Sequence, residues 1–191
     1  MADESGLSVR RLWIGGIGSI LIVGSVLVGG VVIARRSAEA QSSEIGLKRE
    51  PVVGALAPGF TLMNLEGEQL NLGDFRGRPV LINLWATWCG PCRIEMPAIQ
   101  SRFEKYQDDG FAVLAVNFDE QQADIQAFRD EFGLTFQILL DPGAKVQNLY
   151  RNRSYPSSFF IDRAGVIQVQ HIGAMTEGQL DENLKKTGLG S

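Results

Sequence analysis

The chain has 191 residues, room for one domain with added segments or for two very small domains. Hydrophobic residues make up 45% and charged residues 21%, a globular balance that excludes wholesale disorder. The net charge of −4 leaves no basic stripe to displace counterions from phosphates, which excludes nucleic acid as a partner.

Residues 1–11 form a short N-terminal tail. From Leu12 to Ala34 runs LWIGGIGSILIVGSVLVGGVVIA, 23 residues without a charge. At helical rise it spans roughly 34 Å, enough to cross a hydrocarbon core of about 30 Å. The expectation is a single transmembrane anchor in contact with membrane lipid. Ala38-Glu39-Ala40 has the small-x-small form of a processing site. A cleaved signal peptide is therefore the rival, although its apolar core is usually only about 7–15 residues long. A buried core helix is not normally apolar all round and flanked by Arg10-Arg11 and Arg35-Arg36. Residues 35–50, small, polar and charged without apolar periodicity, read as a tether to a domain over 51–191.

Beyond the tether, Phe60 to Leu72 alternates around Glu66-Gly67 and predicts a hairpin. Pro79 to Ala86, PVLINLWA, is a continuous apolar run suited to a central strand buried on both faces. Pro91 to Tyr106 has helical spacing with Ile99, Phe103 and Tyr106 on one face and a kink expected at Pro97. Phe111 to Phe118 reads as a second buried strand. Gln122 to Phe132 follows as a helix with Ile125, Phe128 and Phe132 on one side. Phe136 to Leu140 makes a third core strand, ended by Asp141-Pro142-Gly143. Ser157 to Asp162 and Val166 to Ile172 pair around Arg163-Ala164-Gly165, and Thr176 caps a last helix through Leu184. The order predicts one α/β domain with a mixed sheet and helices on both faces.

The only two cysteines, Cys89 and Cys92, stand where the strand 79–86 feeds the helix. Unpaired N–H groups and the macrodipole at a helix N-terminus favour thiolate, the species that attacks a disulfide. Pro91 presets the helical φ and has no N–H to satisfy. Spacing makes Cys89 the exposed nucleophile and places Cys92 one turn deeper as the resolving thiol. A zinc half-site would need a partner pair that the sequence lacks, and the single histidine, His171, does not complete one. A purely structural disulfide would close too short a loop to stabilise much.

Ala57-Pro58-Gly59-Phe60-Thr61-Leu62, the run from Pro79 through Cys89-Gly90-Pro91-Cys92 to Pro97, and Tyr155-Pro156-Ser157-Ser158-Phe159-Phe160-Ile161-Asp162 resemble the thioredoxin superfamily. The resemblance is to its membrane-anchored ResA/TlpA type, which includes the cytochrome c maturation reductases, and it covers residues 51–187. It implies a thioredoxin-like fold with an N-terminal hairpin and a βα insertion near 111–132. It also implies thiol-disulfide oxidoreductase activity without a cofactor or metal. Pro156 would be the cis-proline, where spacing alone favours trans. With Tyr155, Trp88, Gly90 and Pro91 it would form the substrate-docking surface. Glu95 reads by spacing as a surface glutamate, whereas the resemblance makes it exchange protons with the cysteine pair. Asn83 replaces the buried acid of thioredoxin itself, which leaves Glu95 as the better proton handler.

Gly-Pro between the cysteines resembles strongly reducing thioredoxin, near about −270 mV, so the expected direction is reduction. Partners implied are disulfide-containing proteins such as apocytochrome c and a membrane thiol-electron donor. A peroxiredoxin-like peroxidase and a non-catalytic binding module are the alternatives. Basic residues after the span lean toward a cytoplasmic domain. The resemblance and the absence of further cysteines favour the periplasmic or outer face.

Overall fold

A computed structural model describes residues 46–190. The tail, the expected anchor at 12–34 and most of the tether lie outside the described residues. Among the described residues no helix is long and apolar enough to cross a membrane. The compact unit begins at Leu47, so the last residues assigned to the tether belong to the fold. There the Leu56 N–H donates to the Lys48 carbonyl at 3.0 Å, and the Glu50 N–H donates to the Leu56 carbonyl at 3.1 Å.

The predicted hairpin forms as β1 (Thr61–Asn64) and β2 (Gln69–Asn71) around Gly67, whose φ of 81° suits glycine. It stops short of Leu72 because the Asn71 side chain caps a 3-10 turn over Leu72–Phe75. Then follow β3 (Val80–Trp85), α1 (Gly90–Tyr106), β4 (Ala112–Phe118), α2 (Gln122–Phe132) and β5 (Gln137–Asp141). A short α3 (Lys145–Leu149) precedes β6 (Ser157–Ile161), β7 (Ile167–Ile172) and α4 (Glu177–Lys185). The seven strands form one sheet in the order β2-β1-β5-β4-β3-β6-β7. The pairs β3–β4 and β4–β5 are parallel and all others antiparallel, which makes the sheet mixed as expected.

All six residues of β3 are buried, as its uninterrupted apolar run predicts. Strand alternation sends Leu81 and Trp85 to one core and Val80, Ile82 and Leu84 to the other. The first core receives Met96 and Ile99 from α1, Ile125 and Phe128 from α2, and Leu180 and Leu184 from α4. The second is closed by Val146 of α3, Tyr150, and Ala57 and Phe60 from the segment before β1.

The helix α3 has no counterpart among the predicted elements. Five residues are too few to show a periodicity, and its order comes from a side chain outside it. The buried carboxylate of Asp141 accepts the Val146 and Gln147 N–H groups at 3.0 Å. Two otherwise orphaned donors of the first turn are thereby satisfied by a charged acceptor. Asp141→Ala is expected to cost about 2 kcal/mol in urea denaturation. A loss below about 0.5 kcal/mol, the ordinary scatter of surface changes, would remove Asp141 from this role.

Candidate active site

The strand β3 lies centrally in the sheet and delivers the chain through Thr87 and Trp88 to the start of α1. Cys89 is the N-cap, with extended backbone at φ −79° and ψ 105°. Its sulfur accepts the Cys92 N–H at 3.2 Å, so a first-turn donor points at Sγ. Pro91 sits in the first turn, where the missing N–H costs nothing. The helix starts one residue before the predicted Pro91 because the cap is the cysteine itself. Cys89 and Cys92 are joined as a disulfide with Cα atoms 5.2 Å apart.

Cys89 is 5% exposed and Cys92 0%, which corrects the expectation of an exposed nucleophile. The ranking of the two sulfurs holds, but in the disulfide form Cys89 is part of the main core cluster. Gly90 and Pro91 are exposed beside it.

Glu95 follows Cys92 by one helical step on the same face. It is fully buried, which corrects the surface reading of its spacing. Its Oε1 accepts from Asn83 Nδ2 at 2.7 Å, and its Oε2 accepts the Met175 N–H at 3.1 Å. Burial pushes its carboxyl up from 4.5 to about 7, against the smaller lowering effects of those two donors. A buried acid poised near neutrality can take up or give a proton at the operating pH. Asn83 alternates toward the same face as Leu81 and Trp85, which brings it beneath α1, and its Nδ2 also donates to Ser158 Oγ at 3.0 Å.

The Tyr155–Pro156 peptide bond is cis, as the resemblance implies and proline statistics do not. Pro156 is buried, and its carbonyl accepts the Gly173 N–H at 2.8 Å. Trp88 is 64% exposed and meets Tyr155 edge-on at 5.7 Å between ring centroids; Tyr155 in turn packs on Phe118 at 5.4 Å. Cys89, Cys92, Glu95 and Asn83 thus gather at the β3–α1 junction, with Trp88 and Tyr155 paired at the surface. His171 lies in β7 directly across from Ser158.

Three contributors escape sequence reasoning. Ser158 and Met175 reach Asn83 and Glu95 from 75 and 80 residues away. Glu120 accepts the Thr87 N–H and Asn117 Nδ2, each at 2.7 Å, and bonds the Thr87 hydroxyl as well, tying the cysteine loop to the end of β4. Only Ser158 carried a local signal, since strand alternation sets it on one face with Phe160.

The AhpC/TSA family model matches residues 53–170. The thioredoxin-like protein YneN of Bacillus subtilis (strain 168) is 38% identical over 177 residues, which cover 91% of this chain and 97% of that protein. The thiol-disulfide oxidoreductase ResA of Bacillus thuringiensis (strain Al Hakam) is 37% identical over 139 residues, 73% of this chain and 80% of its own. Among solved structures, StoA from Bacillus subtilis superposes with a TM-score of 0.58 at 31% identity, covering 65% of this chain and 95% of its own. A Chlorobium tepidum chain described as a thiol:disulfide interchange protein DsbE gives 0.66 at 33% identity, covering 74% and 98%.

Proposed function

The chain belongs to the AhpC/TSA family as a thiol-disulfide oxidoreductase of the ResA/DsbE type, and from that premise we propose that it reduces protein disulfides on the outer face of the membrane. One observation carries the reading: a Cys89–Cys92 disulfide at the N-terminus of α1, with a buried carboxyl in the next turn. In the reduced protein the Cys89 thiolate attacks one sulfur of the client disulfide and releases the other as a thiolate that takes up a proton. Cys92 then gives up its proton to the Glu95 carboxylate and attacks Cys89 Sγ, which releases the second client sulfur as a thiolate that takes up that proton from Glu95. The client gains two electrons and two protons, and the cysteine pair becomes the disulfide. A membrane thiol-electron donor returns the pair to dithiol. Trp88, Tyr155 and the Pro156 loop, with Gly90 and Pro91, dock the client.

Secreted chains such as apocytochrome c are the client class this reading favours, and the apolar run at 12–34 is the anchor that holds the domain outside. Redox titration against glutathione tests the direction. A potential near that of thioredoxin, about −270 mV, is expected, and a value above about −150 mV would make the protein an oxidant. Protease added to intact spheroplasts is expected to remove the domain, and full protection would place it in the cytoplasm. A peroxidase of this family would need a threonine or serine between a nearby proline and its cysteine at set spacing. Pro79 stands ten residues before Cys89, so hydrogen peroxide is expected to go unconsumed.

A further inference from the structure

The buried network under α1 contains an unbalanced group. Asn83 Nδ2 donates to both Glu95 Oε1 and Ser158 Oγ, while Asn83 Oδ1, equally buried, has no hydrogen-bond partner among the described residues. A buried amide oxygen left unpaired costs free energy, so the arrangement calls for an explanation.

We propose that Asn83 is a positioning residue whose side-chain amide turns over to meet Glu95 in either protonation state. The argument starts from Glu95. Its Oε2 accepts a backbone N–H from Met175, a donor that cannot turn away, so a proton arriving on the carboxyl goes to Oε1. Oε1 faces Asn83 Nδ2 at 2.7 Å, and an O–H there would oppose an N–H donor. An amide has nearly the same shape either way round, and rotation by half a turn presents Oδ1 to that proton instead. The Ser158 hydroxyl, which accepts from Nδ2 in the present orientation, becomes a donor to Oδ1 by rotating its own hydrogen. In both orientations Glu95 and Ser158 are satisfied and one end of the amide is not. The two states are therefore close in energy, and neither the anion nor the acid of Glu95 is locked in. The inference rests on the proton-handling reading of Glu95.

Other titratable groups around the pair are few. α1 brings Cys89 and Cys92 when reduced. β6 offers Ser157 and Ser158, β7 sets the partly exposed His171 opposite Ser158, and the segment before α4 brings Met175, which Asn183 meets at 3.5 Å. The influences on Glu95 are burial, the Asn83 amide and the Met175 N–H, with no carboxylate or cation among them.

The test is nuclear magnetic resonance of the oxidised full-length protein carrying carboxyl-labelled glutamate and nitrogen-labelled asparagine. The Asn83 side-chain amide is expected to shift with the same midpoint as the Glu95 carboxyl. In Asn83→Leu, which keeps the volume and removes the amide, both protonation states of Glu95 lose a partner, so its midpoint is expected to move by less than about one pH unit. An Asn83 amide that stays fixed through the Glu95 titration in the native protein overturns the inference, whether or not the leucine variant folds. So does a midpoint in the variant raised by well over about one pH unit, the mark of a fixed donor that serves the anion alone. An amide that follows Glu95 in a protein that reduces no disulfide supports the inference and overturns the proposed function alone.

Discussion

Cys89→Ser is expected to lower turnover on a protein disulfide to roughly a thousandth of the native rate or less. The chain has no third cysteine to substitute, and Cys92 is fully buried beneath the first turn. Folding should survive the change, because the bridge closes a sequence separation of 3 and such short loops take little entropy from the unfolded chain. The complementary Cys92→Ser variant keeps the attacking sulfur and loses the resolving one, so client proteins should accumulate as mixed disulfides on Cys89. Insulin reduction driven by dithiothreitol and non-reducing gels read both outcomes. Turnover retained by Cys89→Ser, or trapping on that variant rather than on Cys92→Ser, would reverse or remove the assigned roles.

Glu95→Gln is expected to slow thiol–disulfide exchange near neutral pH on the order of a hundredfold and to stabilise the protein in alkaline solution. The second effect follows from linkage. At low pH the carboxyl is neutral in the folded and unfolded chains alike and contributes nothing. As pH rises through the ordinary value of 4.5, the unfolded chain ionises while the folded one holds its proton to about 7. In that window the folded state binds more protons, so stability falls with rising pH and is constant above it. The full loss is about 3 kcal/mol. Glutamine removes the titration, so the native and variant proteins should unfold alike near about pH 4. The variant should be the more stable near about pH 8, by up to that amount. Parallel urea curves at both pH values would return Glu95 to an ordinary buried side chain, and an unchanged exchange rate would take it out of the chemistry.

What the sequence discloses depends on how local each cause is. The run PVLINLWA announces a buried strand because its apolar continuity is the physical requirement for a strand covered on both faces. The first turn of α1 is legible for the same reason, since the cap, the proline and the sulfur spacing all lie within four residues. The depth of Cys89 was not legible, because accessibility is decided by what packs around the motif from other elements, and spacing alone made it exposed. Glu95 shows the same limit. Its helical position is a local fact, but its burial depends on Asn83, Ser158 and Met175, which only the sheet register and the approach to α4 bring together. The anchor at 12–34 lies outside the described residues, so its reading still rests on length and composition.

The edges of the sheet bear on how clients leave. The outermost strand on one side, β2, has three residues and runs straight into a capped turn. The outermost strand on the other, β7, sets Gln168 and Gln170 along its length and carries a register irregularity against β6 at Phe160 and Ile161. Short, polar and irregular edges resist the addition of a foreign strand. A protein that handles unfolded, disulfide-bearing chains meets many segments ready to pair in that way. If the proposed function holds, a client meets the protein at the Trp88–Tyr155 surface and through the sulfur link rather than along the sheet, and it can depart once Cys92 breaks that link.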